Sequence, residues 1–366
     1  MTTIFWCTSC LNASTRPRLT FDDQGRCSAC QWHTKKPTID WERRTNQFKE
    51  VVESVSTPDT PFDCLVPVSG GKDGSYVAHT IREQYGLTPL CVTVRPPLEL
   101  PVSNRNLLNF VNSGFDHILV TPNPEIMATI DRYGFEDLGF PYYGWLTAIH
   151  TAVIRTAIAY SVPLVVYGED GEVEYGGSTE KENEQVYNIE YMRTIYLEGG
   201  HDSVMRRLGD RQAHAHFWEF PSTKSDLIFT HWSYYEPWDS YKNYLVAKEH
   251  CGLEESQQAN AGTFTNYAQN DQALVALHTY LMYLKFGFGR ATADVGIEIR
   301  RGAMSRDQAI HLVRMYDGAF PSDFIPTYLE YYKMTSEEFD AVLDRWANKS
   351  LFEKIQDRWC PLFQVK

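Results

Sequence analysis

The chain has 366 residues, of which 34 are Lys or Arg and 47 are Asp or Glu, so its formal net charge is −13. This balance does not supply the positive field on which proteins that bind a phosphate backbone depend, and we expect no nucleic-acid partner. No run of about 18 apolar residues is present, and the start MTTIFWCTSC lacks the charged and apolar regions of a secretion signal. We therefore expect a cytoplasmic protein with no membrane partner, in which one main domain carries additions.

Four of the eight cysteines lie near the N-terminus as two C-x2-C pairs, Cys7 with Cys10 and Cys27 with Cys30. Each pair can direct two thiolates at one tetrahedral ion, and the spacing between the pairs is typical of a zinc ribbon. The alternatives are two disulfides, which a reducing compartment disfavours, or cysteines that are merely buried. Since four protein ligands leave no open position, we expect a structural Zn²⁺ ion in a segment too small for its own core. The other four cysteines are expected to be buried small apolar side chains: Cys64, Cys91, Cys251 and Cys360.

Short apolar runs alternate with helical patterns from residue 62 onward. The runs predict five strands, at residues 64–68, 90–94, 117–121, 163–168 and 226–232. A helix is predicted over residues 75–86, where Gly86 is placed to end it, and a buried helix over residues 145–161. Strands that alternate with helices predict an α/β fold with a doubly wound parallel sheet covered on both faces.

The pattern becomes mostly helical after about Lys242. Helical spacing of apolar residues predicts three further helices, at residues 274–287, 305–316 and 336–347. We therefore expect three parts: a zinc ribbon at residues 1–40, the α/β domain at residues 41–245 and a helical C-terminal region at residues 246–366.

A glycine-rich segment, S-G-G-K-D-G-S, lies between the first predicted strand and an amphipathic helix. At such a junction glycines let the backbone approach an anion, while the free N–H groups and the dipole of the helix start favour a phosphate. The spacing differs from that of the Walker A loop and of the G-x-G-x-x-G dinucleotide fingerprint. A glycine turn that binds nothing is the alternative, but strand, loop and helix coincide here. The predicted phosphate site is Ser69, Gly70, Gly71, Lys72, Asp73, Gly74 and Ser75.

This loop resembles that of the PP-loop ATP pyrophosphatases, whose pattern S-G-G-x-D-S stands here with one extra glycine, Gly74, before the last serine. The resemblance implies that ATP is cleaved between its α and β phosphates, with the loop holding pyrophosphate and Asp73 assisting a Mg²⁺ ion. Whether Ser75 takes the role of the second serine stays open because of the extra glycine. Thr93 and Gly168, near the ends of two other predicted strands, complete the expected ATP site.

Most of the chain resembles the N-acetyl sugar amidotransferases of bacterial surface-polysaccharide biosynthesis, the group that includes WbpG and PseA. The resembling segments are the two cysteine pairs, the loop, and residues 167–177, 234–239, 262–267 and 285–302. The resemblance implies that ATP activates the acetamido group of an N-acetyl sugar, which we expect to be nucleotide-linked, as an adenylated imidate. Ammonia then displaces AMP and leaves an acetamidino group, a step of lipopolysaccharide O-antigen or related glycan biosynthesis.

Ammonia is mostly ammonium at neutral pH, so a carboxylate is expected near the second step as a base or cation trap. Glu169 is the first choice because it directly follows a strand end, where open α/β sheets bind ligands. A solvated acidic loop is the alternative. The predicted catalytic residues are thus Lys72, Asp73 and Glu169.

Three residues of the C-terminal region are predicted to bind substrate: Lys285, Arg290 and Asn266. The two cations could contact phosphates of ATP or of a nucleotide-linked sugar, and Arg290 is favoured because glycines flank its turn. The alternative is ordinary surface charge, and on that ground Arg300 and Arg301 rank lower. Asp271 is a weaker candidate.

The sequence shows no recognisable glutaminase, since no cysteine directly follows Met1 or lies in a G-x-C-x-G elbow. We therefore expect a separate partner to supply ammonia. The resemblance implies a glutaminase like that of imidazole glycerol phosphate synthase together with a cyclase-like barrel protein. The main rival function is a tRNA-modifying PP-loop thiolase, which would need a basic face and usually a catalytic cysteine pair. A zinc-ribbon scaffold with a degenerate nucleotide fold is a second rival, which the intact S-G-G-K-D segment disfavours.

Overall fold

A computed structural model describes residues 4–55, 60–221 and 227–366. Its central sheet has five strands in the order β3-β2-β1-β4-β5, and every neighbouring pair is parallel. The strands are β1 Cys64–Pro67, β2 Pro89–Val94, β3 His117–Val120, β4 Leu164–Tyr167 and β5 Ile228–His231. The predicted parallel sheet is thereby confirmed, while Asp226, at the start of the last predicted strand, lies outside the described residues.

Helices connect and surround these strands. The α-helices are α1 Ser28–Lys35, α2 Trp41–Val55, α3 Lys72–Tyr85, α4 Pro101–Asn112, α5 Pro124–Leu138, α6 Tyr143–Ala159, α7 Gly171–Tyr175, α8 Ile189–Tyr191, α9 His201–Arg207, α10 Ser240–Cys251, α11 Leu274–Phe286, α12 Arg290–Arg300, α13 Arg306–Tyr316, α14 Ile325–Tyr332 and α15 Ser336–Trp346. Short 3-10 segments lie at Lys36–Thr38, Gly209–His214, His216–Trp218, Trp232–Tyr234 and Ser322–Phe324, and a π-helical turn at Met192–Tyr196.

Both faces of the sheet are covered, as its apolar strands require. Alternate residues of β1 point to opposite faces: Val66 packs with α2, α3 and α10, whereas Leu65 packs with α6. Helix α3 begins at Lys72, three residues earlier than predicted, because Gly71 is extended and leads directly into it. Gly86 ends α3 as predicted, with a φ of +65°.

The C-terminal region is mainly helical, as predicted, and its core joins α11, α14 and α15 to Phe135 of α5. A division at residue 245 would cut through α10, which packs against α3. The region also contains a hairpin that was not predicted, formed by β6 Phe352–Ile355 and β7 Arg358–Pro361. Its two turn residues, Gln356 and Asp357, both have positive φ, as the tightest hairpin turns require. Within the described ranges, every helix is too short or too polar to cross a membrane.

Candidate active site and metal centre

The predicted phosphate loop runs from the carboxyl end of β1 into α3. Gly70 has a φ of +78°, and a Cβ atom added there would lie 2.4 Å from the backbone nitrogen of Leu107. A Cβ atom at Gly74 would lie 2.7 Å from the carbonyl oxygen of Pro67. Neither position has room for a side chain, so these glycines let the loop pack closely against α4 and β1.

A cavity of about 130 Å³ opens beside the loop. Ligand pockets usually measure roughly 300 to 1,000 Å³, so this one suits a group of phosphate size better than a whole nucleotide. The loop, α4 and a segment of the C-terminal region line it: Ser69, Gly71, Lys72, Asp73, Gly74, Ser103, Asn106 and residues 267–271. Five of the seven predicted loop residues therefore border the cavity.

Asp73 lies between two partners that restrain its carboxylate. The buried Lys72 forms an ion pair with Asp73 Oδ2, and the Asn243 amide donates to Asp73 Oδ1 at 3.1 Å. Asn243 belongs to α10 and was missed by sequence reasoning, since 170 positions separate it from Asp73. Because it is fully buried, Asn243 fixes the position of the carboxylate that borders the cavity.

Glu169 lies two residues beyond the end of β4, within range of the charges on the loop. Burial of its carboxyl and the negative charge of Asp73 raise the pKa of Glu169, against the opposing effects of Lys72 and of a hydrogen bond from Tyr175. That bond runs from the Tyr175 hydroxyl to Glu169 Oε1 at 3.1 Å. The guanidinium of Arg290 lies over the ring of Tyr175, with 5.5 Å between its central carbon and the ring centre. The structure thus connects Glu169, Asp73 and Arg290, three of the predicted site residues.

The other acidic residues after β4 have different partners. Asp170 caps α7 by accepting from the Glu172 N–H at 3.0 Å, and burial raises the pKa of Asp170 to about 7. Glu172 forms a two-pronged ion pair with Arg18, and Glu174 accepts from the Trp32 indole at 2.8 Å. Glu169 is therefore the member of this acidic segment that faces the loop.

Asp271 faces the loop from the opposite wall of the cavity. Burial raises the pKa of its carboxyl, while a hydrogen bond from Ser69 and the charge of Lys72 lower it. Backbone hydrogen bonds hold its segment beside α4: Leu100 N donates to Asp271 O, and Ala273 N donates to Leu98 O. Asp271 is a weak candidate from sequence alone because nothing local in the sequence indicates this approach.

Ser75 was expected at the phosphate site, but the structure directs it into the interior. It is fully buried, does not border the cavity, and its hydroxyl has no partner in the part of the chain that the structure describes. An α-helix turns by about 100° per residue, so the extra Gly74 rotates the serine away from the loop.

Thr93 and Gly168 also lie near the loop, Thr93 through a side-chain hydrogen bond and Gly168 through its backbone. The Thr93 hydroxyl donates to Val68 O at 2.7 Å and contacts His117 Nε2 at 2.8 Å, so its hydrogen-bonding capacity is used within the sheet. An added Cβ atom at Gly168 would lie 3.4 Å from Cβ of Asp73 and 3.3 Å from the Trp238 ring. Gly168 therefore keeps the backbone close to the loop.

Lys285 and Asn266, predicted to bind substrate, are engaged elsewhere. The Lys285 ammonium donates to Leu138 O at 2.9 Å and lies 4.9 Å from the Trp346 ring centre. The Asn266 amide donates to Ser256 O at 3.0 Å, which fixes the loop before α11. The structure does not bring either polar group to the cavity, because Lys285 binds the carbonyl of the last residue of α5 and Asn266 binds within its own loop.

The four N-terminal cysteines converge as predicted. Their sulfur atoms all lie within 4.8 Å of one another, and all four residues are buried and free of disulfides. Thiolates about 2.3 Å from one tetrahedral ion lie about 3.8 Å apart, as Cys7 and Cys30 do here. The Cys27 N–H donates to Cys7 Sγ, and the Asn12 amide to Cys27 Sγ, as thiolate ligands favour. The set fits one small ion better than a four-iron cluster, in which each cysteine binds a different iron.

The segment that holds the four cysteines, residues 4–35, also contacts α7, whose last residue is Tyr175; we call it the metal-binding segment because its four thiols could hold one ion. The Asn12 amide donates to Tyr175 O at 2.9 Å, and the Arg16 guanidinium donates to Gly176 O. This segment thereby contacts the residue that binds Glu169. Of the other cysteines, Cys64, Cys91 and Cys251 are buried as expected, whereas Cys360 is partly exposed on β7.

Residues 261–365 match a family model described as the C-terminal domain of LPS biosynthesis protein WbpG-like proteins. The chain carries a WbpG-like C-terminal domain. This match confirms the resemblance to WbpG, and it includes residues 285–302. It also means that the WbpG-like domain supplies Arg290 and the Asp271 wall of the loop cavity.

Two individual proteins are also similar to this chain. An uncharacterized protein of Methanocaldococcus jannaschii, MJ1599, is 25% identical over 104 residues, which are 28% of this chain and 37% of that protein. This chain therefore matches well under half of that relative. Among solved structures, the U34-tRNA thiolase NcsA from Methanococcus maripaludis, described with its [4Fe-4S] cluster, shares 13% identity. The superposition has a TM-score of 0.32 and covers 72% of this chain and 79% of NcsA.

Proposed function

We propose that the chain is an ATP-dependent, AMP- and pyrophosphate-forming N-acetyl sugar amidotransferase of lipopolysaccharide O-antigen or related glycan biosynthesis. The observation that carries this proposal is the loop cavity, where Lys72 and Asp73 face Asp271 of the WbpG-like domain. A phosphate loop alone indicates only nucleotide chemistry. Here a domain that matches a lipopolysaccharide-biosynthesis family forms one wall of the cavity beside the loop, which supports a sugar as the second substrate.

In the first step the amide oxygen of the acetamido group attacks the α-phosphorus of ATP and pyrophosphate departs. The loop N–H groups and Lys72 stabilise the charge that develops on the leaving pyrophosphate. Asp73 and Asp271 are the side chains that would hold Mg²⁺, because both are carboxylates facing the cavity. When bound, that ion neutralises phosphate charge.

In the second step ammonia attacks the imidate carbon, and AMP leaves with the former amide oxygen. Ammonia must lose a proton as the acetamidino group forms. Glu169 is suited to hold this proton, because burial and the charge of Asp73 raise the pKa of its carboxyl. Zn²⁺ bound by the four cysteines would have a structural role only, since no ligand position stays open.

The test is to incubate the purified chain with ATP, Mg²⁺, ammonium and UDP-linked N-acetyl sugars. AMP, pyrophosphate and a product with an acetamidino group are expected, and ADP formation would contradict the proposal. Because we propose that a separate glutaminase, with a cyclase-like barrel protein, supplies ammonia, the chain alone should use ammonium but not glutamine. Adding that glutaminase should restore the use of glutamine, with a weaker dependence on pH than free ammonium shows.

The rival function, a tRNA-modifying thiolase, has less support. The described residues that line the loop cavity include no cysteine. Cys64, Cys91 and Cys251 lie in the sheet core, where burial raises the pKa of each thiol and disfavours the reactive thiolate. Formation of AMP with tRNA, and not with any N-acetyl sugar, would reverse this ranking.

A further inference from the structure

A second and larger cavity, of about 590 Å³, lies where three parts of the chain meet. The 3-10 turn after the metal-binding segment contributes Lys36 and the start of α2 contributes Trp41. The start of α10 contributes Lys242, and the end of α12 contributes Arg301. Its volume is in the usual range of ligand pockets, roughly 300 to 1,000 Å³, and junctions between structural units are common places for them.

Cations outnumber carboxylates among the residues that line the cavity, although the chain as a whole carries a charge of −13. Four cations line it, Lys36, Lys242, Arg300 and Arg301, against two carboxylates, Glu174 and Asp239. Both carboxylates are already engaged. Glu174 accepts from Lys36 at 2.6 Å, and Asp239 accepts from the first N–H groups of α10.

The cations at the rim are partly exposed, so a ligand can reach them. The side chain of Lys242 is 50% exposed; it pairs with Glu236 and donates to the Tyr76 hydroxyl at 2.7 Å. The side chain of Arg301 is 29% exposed and pairs with Glu298, with the charge of Asp239 also nearby. Trp41 and Trp238 add indole rings to the wall. Cations combined with flat apolar rings suit a ligand that has both an anionic group and an apolar face, as a charged sugar does.

The cavity shares a wall with the catalytic loop. Trp238 lines it, and its ring is the nearest neighbour of Gly168, which in turn lies beside Asp73. Tyr175 also lines the cavity, and its hydroxyl donates to Glu169 on the other side. A ligand in this cavity would therefore lie next to the groups that we assign to amide activation.

We propose that this cavity, which we call the saccharide pocket, binds the sugar substrate, and that the substrate is an anionic saccharide. Lys242 and Arg301 contact its anionic group, and Trp41 and Trp238 pack against its ring. The assignment of a saccharide rests on the proposed function. The anion could be the diphosphate of a nucleotide sugar or a carboxylate on the sugar itself, and the experiment distinguishes these sources.

The test is calorimetric binding to the full chain saturated with α,β-methylene-ATP, which occupies the loop but cannot be cleaved between those phosphates. The probes are UDP-N-acetylglucosamine, which carries a diphosphate, N-acetylneuraminate, which carries a carboxylate, and neutral N-acetylglucosamine. We expect one anionic probe to bind, and to do so more tightly than the neutral sugar. Lys242→Met and Arg301→Gln should each weaken it about tenfold or more, as expected for charge-assisted hydrogen bonds.

Lys248→Met is the matched control, because Lys248 lies on the same helix and is 48% exposed but does not line the pocket. It should bind the probe as the wild type does, and all three variants should bind the ATP analogue normally. The inference is overturned if neither anionic probe binds, if the two pocket variants bind it normally, or if the probe displaces the analogue. Since the assay requires no turnover, a chain that binds the saccharide but forms no AMP would contradict the proposed reaction and still support the pocket.

Discussion

The Tyr175 hydroxyl donates a hydrogen bond to Glu169 Oε1 at 3.1 Å, and this bond opposes the rise in the pKa of Glu169. A base acts only when it is ionised, so we expect the amidination rate to fall as the pH drops through this raised pKa, above the ordinary value of about 4.3. Tyr175→Phe should move the acid limb to higher pH because it removes the bond. Glu169→Gln should abolish the limb. The measurement is kcat/KM against pH, expressed per unprotonated ammonia; an unchanged acid limb in Glu169→Gln would exclude Glu169 as the base.

Substitutions in the loop should affect chemistry much more than folding. We expect Lys72→Ala and Asp73→Ala to lower kcat about a hundredfold or more, as loss of a charge-stabilising group in the transition state does. AMP release and thermal unfolding are measured together. The control is Lys354→Ala. Lys354 is an exposed cation of the C-terminal hairpin that pairs with Asp344 of α15, and its removal should leave turnover unchanged. Near-normal turnover in both loop variants would remove the loop from the mechanism.

The metal prediction can be checked without any substrate. We expect elemental analysis of protein purified without chelators to find one Zn²⁺ ion per chain. Cys27→Ser should lose the ion and lower the unfolding temperature, because the segment depends on the metal for its stability. Cys360→Ser is the control, since that cysteine is partly exposed on β7 and outside the cluster. Metal-free protein with the same unfolding temperature would show that the cysteines act as ordinary core residues.

Asp131 should make stability depend on pH. Its buried carboxyl accepts from the N–H groups of Gly144 and Trp145 and from the Tyr331 hydroxyl, and burial raises the pKa of Asp131 to about 7. The folded chain therefore binds the proton of Asp131 more tightly than the unfolded chain does. The resulting contribution to the free energy of unfolding is fully present below about pH 4 and is lost as the pH rises to 7. Asp131→Asn keeps the shape and should flatten this part of the profile. Asp131→Ala should cost about 1 to 3 kcal/mol.

Chemical denaturation of wild type and both variants at several pH values gives the comparison. The difference in unfolding free energy between wild type and Asp131→Asn separates the effect of Asp131 from that of the other buried carboxyls, such as Asp170 and Asp317. A difference that does not change between pH 4 and 7 would mean that Asp131 does not titrate in this range.

Features that depend on neighbours in the sequence could be predicted. The five parallel strands, the presence of a helix after the loop and the convergence of the cysteine pairs all follow from local spacing. Contacts that join distant segments could not be predicted in this way. Asn243 reaches Asp73 only because α10 packs on α3, and Asp271 reaches Ser69 only because its backbone pairs beside α4.

Ser75 shows a different limit. The extra Gly74 left its role open in the sequence pattern, and only the geometry of a helix with one added residue reveals that it turns inward. Lys285 illustrates the same limit for charge, because the sequence shows a cation but not the carbonyl that it contacts.

The metal-binding segment is synthesised long before the residues that it contacts. Asn12 binds a carbonyl 163 positions downstream, and Arg306, which donates to Cys7 O, follows that cysteine by 299 positions. Until those partners leave the ribosome, an ion bound by the four cysteines would be what holds the segment in its final shape. Metal supply during translation should therefore govern the yield of soluble enzyme, and adding metal to finished, misfolded chains should recover little of it.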